Sequence, residues 1–441
     1  MCPVVRRPAS HPNGGPRYDE GLAALQEGRP SGAPSAPGPY GTSSRGLPPE
    51  LANLPKVTPR RLVHLEQARA RFGERADRLV PLLGQADGLA DAVVEALARL
   101  SPTARESLLG RVLSLQAPKR VPSEVRRFRD ALLEVPFWVD SARAARGGAV
   151  LLRTGIFGGL VLAFRSLILG YCSPAGNKPL VFSGRLRASA ARRVSETGRF
   201  VQSVALPGGL QPGAPGFVAT ARVRLMHAQV RRFLLASPRW DTAAWGTPIN
   251  QLDMAGTVLL FSLVVVDGLR RFGFKFSEEE VADVLHLWRT AGWLLGVRED
   301  LLCSTEGEAR DLWDLIRLTQ GPPDADSREL AASLVESPLQ QARTAKDRSR
   351  AEAVVSLGYG LSRFLLDDGY ADALHMPKTG WRFLVPALRG LVSTAGRALG
   401  RLPGSERLRL EAGLLYWQHV VHTGLGDEDA TFEMPNALPH G

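Results

Sequence analysis

Apolar residues recur three and four positions apart through most of this chain, the spacing of amphipathic helices. The pattern begins near Pro59, and Pro and Gly residues separate one periodic stretch from the next. The alternation typical of strands is nearly absent; only Pro179–Ser183 resembles a short strand, and an isolated strand is marginal. The sequence therefore predicts an all-α fold, a single large multi-helix domain. The stretches that predict helices include Pro59–Gly73, Ala76–Leu100, Thr103–Leu115, Glu124–Leu133, Phe217–Leu235, Arg310–Gln320, Ser327–Thr344, Arg348–Leu366, Trp381–Leu399 and Leu408–His422.

Residues 1–56 differ in character from the rest of the chain. They are dense in Pro, Gly and Ser, and their apolar residues are too sparse to bury a face, so we predict a disordered tail. We divide the remainder into an N-terminal helical layer (57–134), a central helical core (135–305) and C-terminal helices packed on that core (306–441).

Two apolar runs call for a comparison with membrane spans. Val150–Cys172 is interrupted by glycines and two arginines, and Met254–Val266 is closed by an aspartate at each end. A span needs roughly 20 apolar residues. We therefore interpret both runs as helices surrounded by protein and predict no transmembrane segment.

Charge and cysteine content limit the classes of function and the cellular locations that the sequence supports. The net charge is +11, yet the basic residues are spread over many helices without a run of five or six, so nucleic-acid binding is not expected. Cys2, Cys172 and Cys303 lie far apart and form neither a disulfide framework nor a metal motif, which suits a reducing compartment. The Arg6-Arg7 pair precedes no apolar segment, so we expect no export signal and predict a cytoplasmic location.

The segment Arg224–Arg231 (RLMHAQVR) holds the most distinctive chemistry. On a helix, Arg224, His227 and Arg231 share one face, because they are spaced three and four residues apart. Two guanidinium groups disfavour the imidazolium form and leave a neutral imidazole with a free lone pair. Such an imidazole suits haem iron, and the arginines suit the propionates. On spacing alone, a solvated helix face that happens to hold a histidine is the favoured explanation.

The run Arg222–Arg232 (RVRLMHAQVRR) resembles the haem-ligating helix of the latex-clearing-protein/MpaB oxygenase family. Two further blocks agree in order and spacing: Arg193–Thr197 (RVSET) upstream and Gly246–Asp300 downstream. The resemblance covers roughly Val135–Leu302. It implies an all-helical domain enclosing a haem pocket, with His227 as the proximal iron ligand and with Arg224 and Arg231 as propionate or supporting partners.

The upstream block departs from the family pattern at Glu196. The resemblance implies that Arg193, Glu196 and Thr197 stand on the open, distal side of the haem, where latex-clearing proteins have a lysine in place of Glu196. A carboxylate is a weaker ligand than an amine for haem iron. We therefore expect Glu196 to exchange a proton during oxygen chemistry, with Arg193 holding its charge and Thr197 donating a hydrogen bond.

The downstream block adds two candidate residues. Thr257 lies in an apolar run, where its hydroxyl either bonds back to the preceding turn or lines a pocket, as the resemblance implies. His286 follows a capping box at Ser277–Glu280, and we expect it to support the site through a hydrogen bond rather than to bind iron. We also expect a helix to start at Thr247-Pro248.

Taken together, these features predict an oxygenase or related oxidoreductase. Its cofactor would be non-covalent haem b, since the chain has no Cys-x-x-Cys-His site. Its partners would be dioxygen and an apolar small molecule, an isoprenoid or lipid rather than an extracellular polymer. A haem-binding carrier or sensor without turnover is the alternative. Neither the exact substrate nor the oligomeric state follows from the sequence.

Overall fold

A computed structural model describes residues 60–116, 120–182, 190–399 and 404–425. Within these ranges the chain is helical, and the one β-type contact is an isolated antiparallel bridge between Leu62 and Gln320. The α-helices, in chain order, are α1 (Leu65–Phe72), α2 (Glu74–Asp77), α3 (Leu79–Leu82), α4 (Gly88–Leu97), α5 (Pro102–Leu113), α6 (Ser123–Leu133), α7 (Ser141–Leu152), α8 (Ile156–Val161), α9 (Leu167–Tyr171), α10 (Lys178–Phe182), α11 (Ala190–Ala205), α12 (Pro215–Ala236), α13 (Thr242–Trp245), α14 (Gln251–Phe261), α15 (Leu263–Arg271), α16 (Glu278–Leu294), α17 (Glu306–Thr319), α18 (Ala325–Val335), α19 (Ser337–Gln341), α20 (Ala345–Leu365), α21 (Asp368–Ala373), α22 (Trp381–Leu399) and α23 (Ser405–Leu425).

The all-α prediction is confirmed. The described part of the stretch that resembled a strand, Pro179–Phe182, belongs to helix α10 instead. The predicted N-terminal tail lies outside the described residues, and the division at residues 134 and 305 stays a prediction.

Capping residues explain where several helices begin. Ser277 and Glu280 form the capping box expected at the start of α16: the Ser277 hydroxyl accepts from the Glu280 amide at 3.1 Å, and the Glu280 carboxylate accepts from the Ser277 amide at 2.9 Å. The expected start at Thr247-Pro248 is wrong. Asn250 caps α14 instead, accepting from the Asp253 amide at 3.1 Å, while the Thr247 hydroxyl donates to the Gly84 carbonyl.

Helix α7 lies at the centre of the packing, against α16, α11 and α23. Two adjacent glycines allow this. A Cβ on Gly147 would lie 2.1 Å from the Asp283 carbonyl oxygen of α16, and one on Gly148 would lie 1.9 Å from the Ala205 carbonyl oxygen of α11. No side chain fits at either position, so Gly147 and Gly148 determine how closely these helices approach.

The described residues bury two apolar clusters. The larger one extends through α7, α11 and α14–α18, and the smaller one joins α4, α5 and α6 to one face of α12. Helix α12 therefore lies where the two clusters meet. Phe217, Ala221, Leu225 and Ala228, at helical spacing, fill the smaller cluster from this helix.

The two apolar runs form helices inside this packing. The first bends by 88° between Ser141–Leu152 and Ile156–Tyr171, and it includes a π-helical turn at Leu162–Ser166. In the second, α14 and α15 are separated only at Ser262, so Gln251–Arg271 has the length and hydropathy of a membrane span. Two thirds of that window (67%) is buried within the protein, which is how a core helix behaves.

Candidate functional site

Helix α12 is held by an ionic ladder that it forms with α4. Three acids at four-residue intervals, Asp87 just before α4 and Asp91 and Glu95 on it, meet three arginines of α12. The pairs are Asp87–Arg224, Asp91–Arg231 and Glu95–Arg232. The first two are the most buried at their arginine ends. The ladder therefore fixes the rotation of α12 about its axis and its position along that axis relative to the N-terminal helices.

The Arg224–Asp87 pair is largely buried. Arg224 donates from Nε to Asp87 Oδ2 at 2.5 Å and from Nη2 to Asp87 Oδ1 at 2.9 Å, the bidentate geometry that suits a guanidinium. Its Nη1 donates to the Leu294 carbonyl at 3.3 Å, and its guanidinium lies over the Phe128 ring. Asp87 also caps α4 by accepting from the Ala90 amide.

The donor nitrogens of Arg231 are also all bonded to protein acceptors. Its Nε and Nη2 donate to Asp91 at 2.6–3.1 Å, and its Nη1 donates to the Ile249 carbonyl at 3.2 Å. Ile249 has φ = 53°, a conformation that is strained for a β-branched residue, and it lies just before the cap of α14. The guanidinium thus ties α12 both to α4 and to the start of α14.

Of the two roles that the sequence left open for Arg224 and Arg231, these contacts favour support of the helix over contact with the carboxylates of a ligand. The carboxylates that meet them belong to the protein, from a helix more than 130 residues earlier in the chain. Both arginines therefore hold the helix that carries His227. Sequence reasoning missed Asp87 and Asp91, although their four-residue spacing, continued at Glu95, was a usable signal.

His227 itself has the chemistry that the sequence suggested. Its ring is partly buried, and Nδ1 is shielded from solvent with no hydrogen-bond partner among the described residues. Burial, together with the nearby Arg231 charge, lowers the pKa of His227 to about 4. The imidazole is therefore neutral at ordinary pH, and a neutral imidazole is the form that binds a metal.

The predicted distal residues lie on α11, which packs directly against α12. Glu196 pairs with Arg192, whose Nε donates to it at 2.9 Å, so Arg192 and not Arg193 balances its charge. The Thr197 hydroxyl donates to the Arg193 carbonyl at 2.7 Å within the helix. The expected contacts among Arg193, Glu196 and Thr197 therefore need correction, since two of these side chains bond along their own helix.

Arg193 bonds to a residue of another helix, α9. Its Nη2 donates to the Tyr171 hydroxyl at 3.0 Å, at the end of α9. Its Nη1 is buried and, within the part of the chain that the structure describes, meets no acceptor. Of the three predicted site arginines, Arg193 is thus the one with a buried donor still available to a ligand.

The two downstream candidates also have protein partners. The exposed Thr257 hydroxyl donates to the Asp253 carbonyl at 2.8 Å, the helical back-bond that was one of its two interpretations. His286 Nε2 accepts from the Asp140 amide at 2.9 Å, at the start of α7, and burial lowers the pKa of His286. We therefore assign His286 to anchoring α7 against α16.

The arrangement offers one histidine, and not a metal cluster, as a ligand. Over residues 60–116, 120–182, 190–399 and 404–425, no group of three or more His, Cys, Asp or Glu side chains could hold a metal ion. A cofactor that takes a single imidazole from the protein would fit the unpartnered Nδ1 and the unprotonated ring of His227. Fold and site thus define an all-α protein in which helix α12 carries a neutral histidine with a buried, unpartnered Nδ1.

Comparison with known proteins identifies the family. Residues 153–397 match the family model described as ER-bound oxygenase mpaB/B'/Rubber oxygenase, catalytic domain, and the chain belongs to this family. The Rubber oxygenase of Streptomyces sp. (strain K30) is 24% identical over 190 residues, which are 43% of this chain and 46% of that protein. The chain thus matches less than half the length of this curated relative.

A solved structure supports the fold independently. The structure titled "Structure of Latex Clearing Protein LCP in the closed state" superposes with a TM-score of 0.62 at 21% identity. The superposition covers 76% of this chain and 91% of that one. At this identity the similarity establishes the fold alone. The predicted family and fold class are both confirmed. The family description and the name of the Streptomyces relative both name an oxygenase, the predicted enzyme class.

Proposed function

We propose that this protein is an oxygenase that binds non-covalent haem b through His227 and uses dioxygen to oxidise an apolar substrate. The observation that supports it most is the His227 ring, which is neutral, has a buried unpartnered Nδ1 and lies within the residues that match the family. When bound, haem supplies the iron that activates dioxygen. Family membership supports the class of activity.

In this proposal the chain's own residues have three tasks. His227 would hold the haem iron through its neutral imidazole. Arg224 and Arg231 hold helix α12 in place through Asp87 and Asp91, so they affect the site by positioning the His227 ring. Arg193 offers its spare Nη1 donor to a carboxylate or oxygen atom of the bound ligand, while Tyr171 fixes its orientation.

Glu196 remains the candidate for proton exchange. Its carboxylate pairs with Arg192, and its side chain is 30% exposed, so it is accessible to solvent as a proton donor or acceptor must be. A carboxylate already engaged by a guanidinium is a poor iron ligand. With Glu196 held by Arg192, the iron of a bound haem would receive no ligand from this residue.

The substrate in this proposal is a small isoprenoid or lipid. The relatives are named for rubber and latex, which are apolar polymers, and this supports an apolar substrate class for this chain. A cytoplasmic location also stays a prediction, and it would favour a small molecule over a polymer.

Turnover tests the proposal. The purified protein, loaded with haem, is incubated with a panel of isoprenoid and unsaturated lipid substrates under isotopically labelled dioxygen. We expect a product that contains label, and none from His227→Ala. Haem binding without any labelled product would point instead to a carrier or sensor, and absence of haem after expression with ample iron and haem precursor would contradict the proposal itself.

A further inference from the structure

Helix α22 has one face fixed against the protein. A Cβ on Gly273 would lie 2.8 Å from the Arg389 carbonyl oxygen and 3.2 Å from the Ser393 Cβ, so this face of α22 rests on the loop after α15. At the start of the helix, Trp381 packs closely on α20, where its Cβ would lie 2.5 Å from a Cβ on Gly360. These contacts define which side of α22 points inward.

The opposite face is apolar and exposed. Phe383, Ala387 and Leu391 follow one another at four-residue intervals, so they lie in one row on the outer side of the helix. Phe383 is 70% exposed and Leu391 is 65% exposed, and Leu388 adds apolar surface at the edge of the row. Isolated exposed leucines are ordinary, but a row of large apolar side chains along one helix face indicates an interaction surface.

The charge of this helix indicates what the surface meets. The sequence Trp381–Leu399 contains three arginines and no aspartate or glutamate. The exposed Lys275 and Lys378 lie on the segments next to it, and the whole chain carries a net charge of +11. An amphipathic helix with an aromatic and leucine face and only basic charges is typical of helices that lie in the plane of an anionic lipid surface.

We propose that α22 docks this protein on an anionic membrane surface, with Phe383, Leu388 and Leu391 entering the lipid. A protein partner with an acidic groove would need complementary shape. A lipid surface needs only the apolar row and the positive charge that this helix supplies. The inference goes beyond the proposed oxygenase function and does not depend on a bound cofactor.

Vesicle co-sedimentation of the full chain tests the proposal. We expect binding to phosphatidylcholine vesicles that contain phosphatidylglycerol, and weak binding to phosphatidylcholine alone. Each basic residue near an anionic surface is worth about fivefold in affinity at low salt, so added salt should release the protein. Leu391→Glu removes an inserted apolar group and adds a repelled charge, and it should weaken binding about tenfold or more.

Leu415→Glu is the matched control, because Leu415 is 67% exposed on α23, away from the row on α22. It should bind vesicles as the wild type does. If Leu391→Glu fails to fold, Phe383→Glu tests the same face. The proposal is overturned if the wild type does not bind anionic vesicles or if Leu391→Glu and Leu415→Glu lose binding equally. It is also overturned if Leu391→Glu changes only the oligomeric state in gel filtration and leaves vesicle binding unchanged.

Discussion

Replacing Asp87 by alanine should destabilise the protein far more than any exposed acid of the same helix. The Asp87 and Arg224 side chains are only 5% and 10% exposed, so the variant leaves a guanidinium buried without its carboxylate. Breaking a buried pair in this way costs about 3–5 kcal/mol. The loss of the α4 cap, which Asp87 provides through the Ala90 amide, adds roughly 1 kcal/mol.

Urea unfolding followed by circular dichroism measures this effect. The matched control is Glu95→Ala on the same helix, because Glu95 and Arg232 are 74% and 41% exposed and such a pair contributes about 0.2–1 kcal/mol. The double variant Asp87→Leu/Arg224→Leu should recover much of the lost stability, because it removes both buried charges together. Equal losses for Asp87→Ala and Glu95→Ala would refute the ladder as the structure that holds α12.

Three further predictions follow from the site. Because the pKa of His227 is lowered to about 4 while that of the unfolded chain stays near 6.5, the unfolded state binds more protons in between, so stability should fall as pH drops from about 6.5 to 4. His227→Gln should flatten that slope in acid-unfolding curves, and an unchanged slope would contradict the assignment. With haem bound, electron paramagnetic resonance should report a high-spin ferric site, and Glu196→Lys should shift it toward low spin; a fully low-spin wild type would mean that another residue caps the iron. Gly148→Ala should cost several kcal/mol in thermal unfolding, because its Cβ would lie 1.9 Å from the Ala205 carbonyl oxygen, whereas Gly369→Ala, where a Cβ meets nothing within 4 Å, should change little.

Local sequence patterns were sufficient for the fold class and for several helices. The extent of α12 follows from its 3.6-residue periodicity, and the start of α16 follows from the Ser277–Glu280 box, because both depend on residues a few positions apart. The same holds for the back-bond of Thr257.

The partners of the charged residues could not be predicted in the same way. Whether Arg224 meets a ligand or Asp87 depends on how α4 packs on α12, and the two residues are 137 positions apart. The predicted start of α14, at Thr247-Pro248, was wrong for a similar reason. Thr247 bonds to the distant Gly84 carbonyl, and Arg231 holds the carbonyl of the strained Ile249. Tertiary contacts decided each of these cases against a local rule.

The central claim is that His227 provides the axial ligand of a haem, and the absorption spectrum of reconstituted protein tests it most directly. Wild type titrated with haem should develop a Soret band with a stoichiometry of one haem per chain. His227→Ala should remain folded by circular dichroism and give no comparable band, while His286→Ala should keep it, since that ring is bonded to the Asp140 backbone. A wild-type Soret band that persists unchanged in His227→Ala would contradict the account.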